Sequence, residues 1–295
     1  ETGPAEFSHK GVTDELEINE STYQALVELG RSEGTTLFMT LATAFSVLLY
    51  RYGAGHDFGI GTPIANRPRQ DLEEVIGLFV NTLVLRPDLG GNPTLRDLLL
   101  QMRDETLALY QHQEVPFENV VERVGAPRSR ASSPLFQVLF TLQNAPLEKL
   151  TLTGLQWSPI TLDHGLSKFD LSLAMAEKEG VLSARWEYRS DLFSPETISQ
   201  IGRDFACLLE NFSRLLEQPL SAIPIHDRSV EDELITLGKG GVGIAEETIT
   251  EKFSQKVREQ PDAVALISGV RKVSYKELDL LSQRWADLLV ECGVG

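Results

Sequence analysis

Five histidines, His9, His56, His112, His164 and His226, are scattered along this chain. None has a metal-ligating residue four positions on, and no His-Glu-x-x-His occurs, so the spacing does not describe a metal site. Gly238-Lys239-Gly240-Gly241 lacks both the spacing of a phosphate-binding loop and a strand before it. Two cysteines, Cys207 and Cys292, are too few for a disulfide framework or a cysteine-based zinc site. No nucleophile–base pair can be named from spacing alone. What remains are polar residues set among apolar ones. Asn81 lies in the run Leu78 to Arg86, where alternation puts Phe79, Asn81, Leu83 and Leu85 on one face. Its amide either bonds a neighbouring backbone group or belongs to a site. His112 and Gln113 stand where a helix ends, a place for capping, packing or chemistry. Asp170 beside Lys168 reads as an exposed strand charge or as one that pairs across a junction between lobes, and Arg86 ends a strand where it could tie a carboxylate.

The elements that must position these residues follow from periodicity. Ser21 to Leu29 reads as a short helix capped by Ser21 and stopped by Gly30. Leu37, Phe38, Leu41, Phe45, Leu48, Leu49 and Tyr52 recur at helical spacing after Gly34-Thr35-Thr36. Phe58 to Ile64 reads as a strand broken at Pro63, and Leu78 to Arg86 as a buried strand ended by Pro87. Thr94 caps a helix that reaches about His112, with Leu95, Leu98, Leu99, Met102 and Leu109 inward. Pro116 starts a short helix carrying Val120, Val121 and Val124. Phe136, Val138, Phe140 and Leu142 alternate along a strand, and Leu152 to Ile160 looks extended. Phe169 to Met175 and Leu182 to Tyr188 form a hairpin about Glu177-Lys178-Glu179-Gly180. Ser194-Pro195-Glu196 opens a helix whose stripe runs from Ile198 to Leu216. Ile225 to Glu247 has linker composition. Beyond it come a helix from Ile249 to Val257, strands at Ala263–Ile267 and Lys272–Tyr275, and a helix from Glu277 to Val290. That last helix has Leu278, Leu281, Trp285, Leu288 and Leu289 inward.

The formal charge of −16 argues against a bulk electrostatic grip on nucleic acid or an anionic membrane. A hydrophobic fraction of 42% is enough for a folded core. No apolar run reaches about 18 residues, and Glu1 to Lys10 lacks the apolar middle of a signal peptide. The composition leads to the expectation of a soluble, reduced, cytoplasmic protein of 295 residues.

Four segments carry a resemblance. Ile76-Gly77-Leu78-Phe79-Val80-Asn81-Thr82-Leu83-Val84-Leu85-Arg86 resembles the I-G-x-F-V-N-T-x-x-x-R motif of condensation domains, the peptide-bond-forming units of nonribosomal peptide synthetases. His112-Gln113-Glu114-Val115-Pro116-Phe117-Glu118 resembles H-Q-x-x-P-F-E. Ser133-Pro134-Leu135-Phe136-Gln137 and Ser167-Lys168-Phe169-Asp170-Leu171 resemble two further family segments, and all four stand in family order. Val273-Ser274-Tyr275-Lys276-Glu277-Leu278 is similar to the first core motif of adenylation domains, and Pro261-Asp262-Ala263-Val264-Ala265 fits the same family.

The resemblance implies an α/β fold: one lobe of a chloramphenicol-acetyltransferase-like pseudodimer, a mixed or antiparallel sheet with helices on it. It implies the C-terminal half of a condensation domain over residues 1–225, a linker over 226–247 and an adenylation-domain start over 248–295. It also implies a floor loop within Thr62 to Ile76 and a crossing segment within Leu142 to Leu166. The family's catalytic H-H-x-x-x-D-G is absent from this sequence, so no catalytic residue is assigned and the chain alone should be inactive. Phe79, Asn81, His112, Gln113, Lys168 and Asp170 are the candidates for the substrate tunnel. The implied cofactors are 4'-phosphopantetheine arms brought by carrier domains. The implied partners are those carriers, the N-terminal lobe and the rest of the adenylation domain. A non-catalytic scaffold and a stand-alone acyltransferase using coenzyme A are the competing classes.

Overall fold

The computed structural model describes residues 9–67, 69–72, 75–126, 133–143, 164–178, 180–226, 235–236, 238 and 248–293. The chain divides into two compact units, Glu1–Glu231 and Asp232–Gly295. The extended segment Leu152 to Ile160, most of the crossing segment and most of the linker lie outside the described residues.

The first unit contains a mixed six-stranded sheet in the order β1-β6-β5-β4-β2-β3. Its strands are β1 (Gly11–Ile18), β2 (Ile60–Ile64), β3 (Asn81–Leu85), β4 (Val138–Gln143), β5 (Leu171–Lys178) and β6 (Val181–Arg189). β4 runs parallel to both β2 and β5, and the other neighbours are antiparallel. The β5–β6 hairpin pairs Lys178 with Val181. Among the described residues, five helices accompany the sheet: α1 (Glu20–Glu33), α2 (Leu37–Arg51), α3 (Leu95–Gln111), α4 (Phe117–Val124) and α5 (Pro195–Asn211). Period-two burial along β6 sends Leu182, Ala184, Trp186 and Tyr188 into the core. There Phe45 of α2 meets both Phe140 and Trp186, and Phe205 of α5 meets Trp186 edge to face at 5.7 Å. α2 is buried almost all round because it packs against α1, α3 and α5.

Several boundaries differ from the periodicity reading. α1 is capped by Asn19, which accepts from the Thr22 N–H, and Ser21 only bonds the cap side chain. It ends at Gly34, φ +68°, and passes through Gly30. A side chain at Gly30 would strike the Thr35 carbonyl at 2.8 Å, so that glycine serves close approach rather than termination. Pro63 does not break β2. It pairs opposite Thr82 of β3, and the parallel pairing with β4 reaches only Gly61, so the missing N–H costs no ladder bond there. β3 starts at Asn81, five residues before Arg86. Ile76, Leu78 and Val80 are exposed, because no described element lies over them. On α4 only Val121 is buried. α5 stops at Asn211, and the apolar stripe continues through a 3-10 turn at Phe212–Arg214.

Asp204, 1% exposed, is a charge carried into the core on α5. The Tyr52 hydroxyl donates to it, Gln200 Nε2 donates at 2.8 Å, and His226 Nδ1 lies 2.9 Å away. Burial, then this carboxylate, pushes the Tyr52 hydroxyl far above its ordinary range.

The second unit pairs β7 (Val264–Ser268) with β8 (Arg271–Ser274), flanked by α6 (Ile249–Glu259) and α7 (Tyr275–Glu291). Tyr275 begins α7 rather than ending β8, because Ser274 caps the helix in a reciprocal box with Glu277. Those bonds hold the Glu277 carboxyl below its usual range. Leu281, Trp285, Leu288 and Leu289 are exposed rather than inward, since the described hairpin and α6 leave them uncovered. No single helix among the described residues is long and apolar enough to cross a membrane.

Candidate functional site

The four motif segments meet in one seam along the β2–β3 side of the sheet. Asn81 opens β3 and commits its whole side chain to the connection between α3 and α4. Its Nδ2 donates to the Gln113 carbonyl at 2.8 Å and the Val115 carbonyl at 2.7 Å, and its Oδ1 accepts from the Phe117 N–H at 3.1 Å. The connection needs such a partner because α3 has ended and Pro116, at the cap of α4, supplies no side-chain bond.

Phe117 then carries the seam onward. Its ring meets Phe136 edge to face at 5.6 Å, and Phe136 meets Phe169 at 5.3 Å. Phe136 is 2% exposed and lies over Gly61 of β2, where a Cβ would fall 2.3 Å from the ring. Thus residues 81, 117, 136 and 169, one from each motif, form a continuous chain of contacts.

Asp170 follows Phe169 and is tied on both sides. Its N–H donates to the Gln137 carbonyl at 3.0 Å, and its carboxylate receives Arg189 Nη1 at 2.9 Å. Arg189 is 3% exposed and also grips Asp191 through Nε and Nη2. The guanidinium beside Asp191 holds that carboxyl below the usual range. At the other end of β3, Arg86 forms a two-toothed pair with exposed Asp57, and its N–H donates to Glu105. Burial lifts the Glu105 carboxyl above its usual range.

Of the residues singled out by sequence, Asn81 and the Gln113 backbone are brought into direct contact, and Asp170 sits beside the ring of Phe169. Phe79 lies just before β3, half-buried with the Arg67 guanidinium 4.2 Å from its ring centre. His112 caps the C-terminus of α3 and is exposed, as is Lys168. Sequence reasoning missed the role of Phe117, Phe136 and Phe169 as a connected row, and it missed Gly61 and Arg189. A glycine inside a strand pattern signals close approach of another group, and this was the available sign.

A condensation-domain family model matches residues 1–235. The chain belongs to the condensation-domain family of nonribosomal peptide synthetases. It is 39% identical over 295 residues to one of the proteins that make up the linear gramicidin synthase of Brevibacillus parabrevis, covering 99% of this chain and 4% of that protein. It is 35% identical to the dimodular nonribosomal peptide synthase of Bacillus subtilis (strain 168), covering 99% of this chain and 13% of that protein. The chain therefore spans a small part of the curated relatives it matches. Among solved structures, holo-AB3403, a four-domain nonribosomal peptide synthetase bound to AMP and glycine, superposes with a TM-score of 0.76 at 25% identity. That match covers 94% of this chain and 22% of the other. The X-domain from teicoplanin biosynthesis superposes at 0.70 with 26% identity, covering 77% of this chain and 52% of the other. The mixed sheet and its helices are those of the chloramphenicol-acetyltransferase-like fold named from the motifs.

Proposed function

We propose that residues 1–225 are the C-terminal lobe of a condensation domain that joins carrier-bound substrates through an amide bond. The reading continues with a connector over 226–247 and the first elements of an adenylation domain over 248–295. The observation that carries it is the convergence of the four motifs on one seam through Asn81, Phe117, Phe136 and Phe169. Separate structural remnants would have no reason to touch.

In this reading the seam helps to form one wall of a cleft, and an N-terminal lobe bearing H-H-x-x-x-D-G forms the other. The amine of a downstream aminoacyl thioester attacks the carbonyl carbon of an upstream thioester. A C–N bond forms, the C–S bond breaks, the amine gives its proton to a base of the other lobe, and the departing sulfur takes up that proton and leaves as the upstream thiol. An amine attacks a thioester readily, so holding two tethered substrates in register supplies much of the rate. Both substrates ride on phosphopantetheine arms of carrier domains. Asn81, Gln113, Phe79 and Asp170 shape the tunnel, and His112 and Lys168 are the exposed polar groups beside it. Ile76, Leu78 and Val80, open to solvent between β2 and β3, suit burial against the N-terminal lobe. The match of the four-domain synthetase across 94% of the chain supports the adenylation reading of the tail. The acidic composition suits a cytoplasmic enzyme.

The test is product formation. A polypeptide joining this chain to an N-terminal lobe, mixed with donor- and acceptor-loaded carriers, should yield the amide by mass spectrometry. Absence of product with both carriers fully loaded would favour a non-catalytic module, the reading that the missing histidine pair supports.

A further inference from the structure

We infer that Gly59, Gly61 and Leu135 form a positioning device that seats the Phe136 ring and thereby fixes the α3–α4 connection at the seam. Its kinetic consequence rests on the amide-forming reading, whereas its structural consequence does not.

Gly59 stands immediately before β2 and Gly61 lies within it. A Cβ at Gly59 would lie 2.4 Å from the Leu135 carbonyl oxygen, and one at Gly61 would lie 2.3 Å from the Phe136 ring. Neither glycine adopts a positive φ. They are needed for space rather than for backbone freedom, and the space is filled by the Leu135–Phe136 dipeptide, with Val84 Cγ1 also 3.0 Å from a Cβ at Gly59. Leu135 itself has φ +69°, a left-handed conformation that a leucine adopts only when its surroundings impose it. That bend lies just ahead of β4, and Phe136 after it packs onto Gly61 of β2. From there the ring touches Phe117 and Phe169, and the Phe117 N–H is held by Asn81. Packed rings do not deform continuously, so a displaced Phe136 must push Phe117 and the start of α4.

The prediction is made for Gly61→Ala, Phe136→Leu and the double variant. Amide exchange on the chain itself should show the Phe117 N–H losing about 10-fold or more of its protection in Gly61→Ala, while Ala184 and Trp186 in β6 keep theirs. Phe136→Leu shortens the struck ring, so the double variant should regain the protection. In a polypeptide with the N-terminal lobe, Gly61→Ala should slow single-turnover amide formation at saturating carriers by about 10- to 100-fold. The carrier concentration for half-maximal rate should hold, and the double variant should return to the rate of Phe136→Leu alone. Leu208→Ala, a core cavity on α5, supplies the control for simple loss of folded protein. Unchanged protection at Phe117, or a rate that merely tracks the folded fraction as in the control, overturns the assignment. So does failure of both Gly61→Ala and the double variant to fold. If the unsubstituted polypeptide makes no amide, the amide-forming reading falls and the exchange data alone judge the seat.

Discussion

Asn81 holds three backbone groups that have no other described partner to turn to. Replacing it with alanine leaves the Gln113 and Val115 carbonyls and the Phe117 N–H unpaired beside a half-buried gap. Asn81→Ala should therefore cost about 1–3 kcal/mol of unfolding free energy, measured by urea denaturation. Unaltered stability would mean that these bonds are dispensable and that the amide serves substrate alone. The Arg189 cluster makes a different prediction. Asp191 has a depressed folded-state value, so its contribution is complete above the unfolded value of about 3.9 and is lost as pH falls through the folded value. The melting temperature should drop below about pH 4. Arg189→Met should remove that part of the acid sensitivity and cost about 3 kcal/mol near neutrality, because it leaves two carboxylates close together without a counter-charge. A melting temperature in Arg189→Met equal to the parent's would contradict this. A backbone bond for Asn81 and a pairing for Asp170 were among the alternatives read from sequence, but the partners themselves were not legible. The Asn81 bonds span 32 to 36 positions and join groups that every residue carries, and Asp170 finds its arginine 19 positions away across a hairpin.

Elements were legible where their signals were local. Thr94 and Ser194 were readable as a cap and a helix opener because the partner sits three residues on, whereas Ser274 was read into the strand before its helix. Thr94→Ala should destabilise the first unit by about 1 kcal/mol, and retention of full stability by chemical denaturation would argue against the capping box. Gly34→Ala should cost about as much, since φ +68° at the end of α1 suits glycine. Elements were illegible where tertiary contact decided the matter. Gly30 has the position of a stop but stays helical because Thr35 returns against it. Leu78 and Val80 have the pattern of a buried strand but stay outside because pairing with β2 begins only at Asn81, opposite Ile64. Alternation along Phe136, Val138 and Phe140 was readable. That Phe136 leaves the strand to lie on a glycine was not, since hydrophobic period says which face is buried and not what lies against it.

At the scale of the molecule, the fold class was readable from helices alternating with strands, and the family from four motifs in order. The mixed order β1-β6-β5-β4-β2-β3 was not, because strand neighbours far apart in sequence leave no local trace. Among the described residues of the second unit, β7, β8, α6 and α7 expose Trp285 and several leucines. They carry one adenylation-like motif, so ATP–pyrophosphate exchange with any amino acid should stay at background. An amino-acid-dependent signal would show that the tail is more complete than its motif content. The measurement closest to the central claim compares amide yield from loaded carriers with this chain alone and with a separately added N-terminal lobe bearing the paired histidines. The chain alone should give no product above the enzyme-free background, and the mixture should give it. Amide from the chain alone would contradict the account, because the seam would then hold a catalytic group of its own.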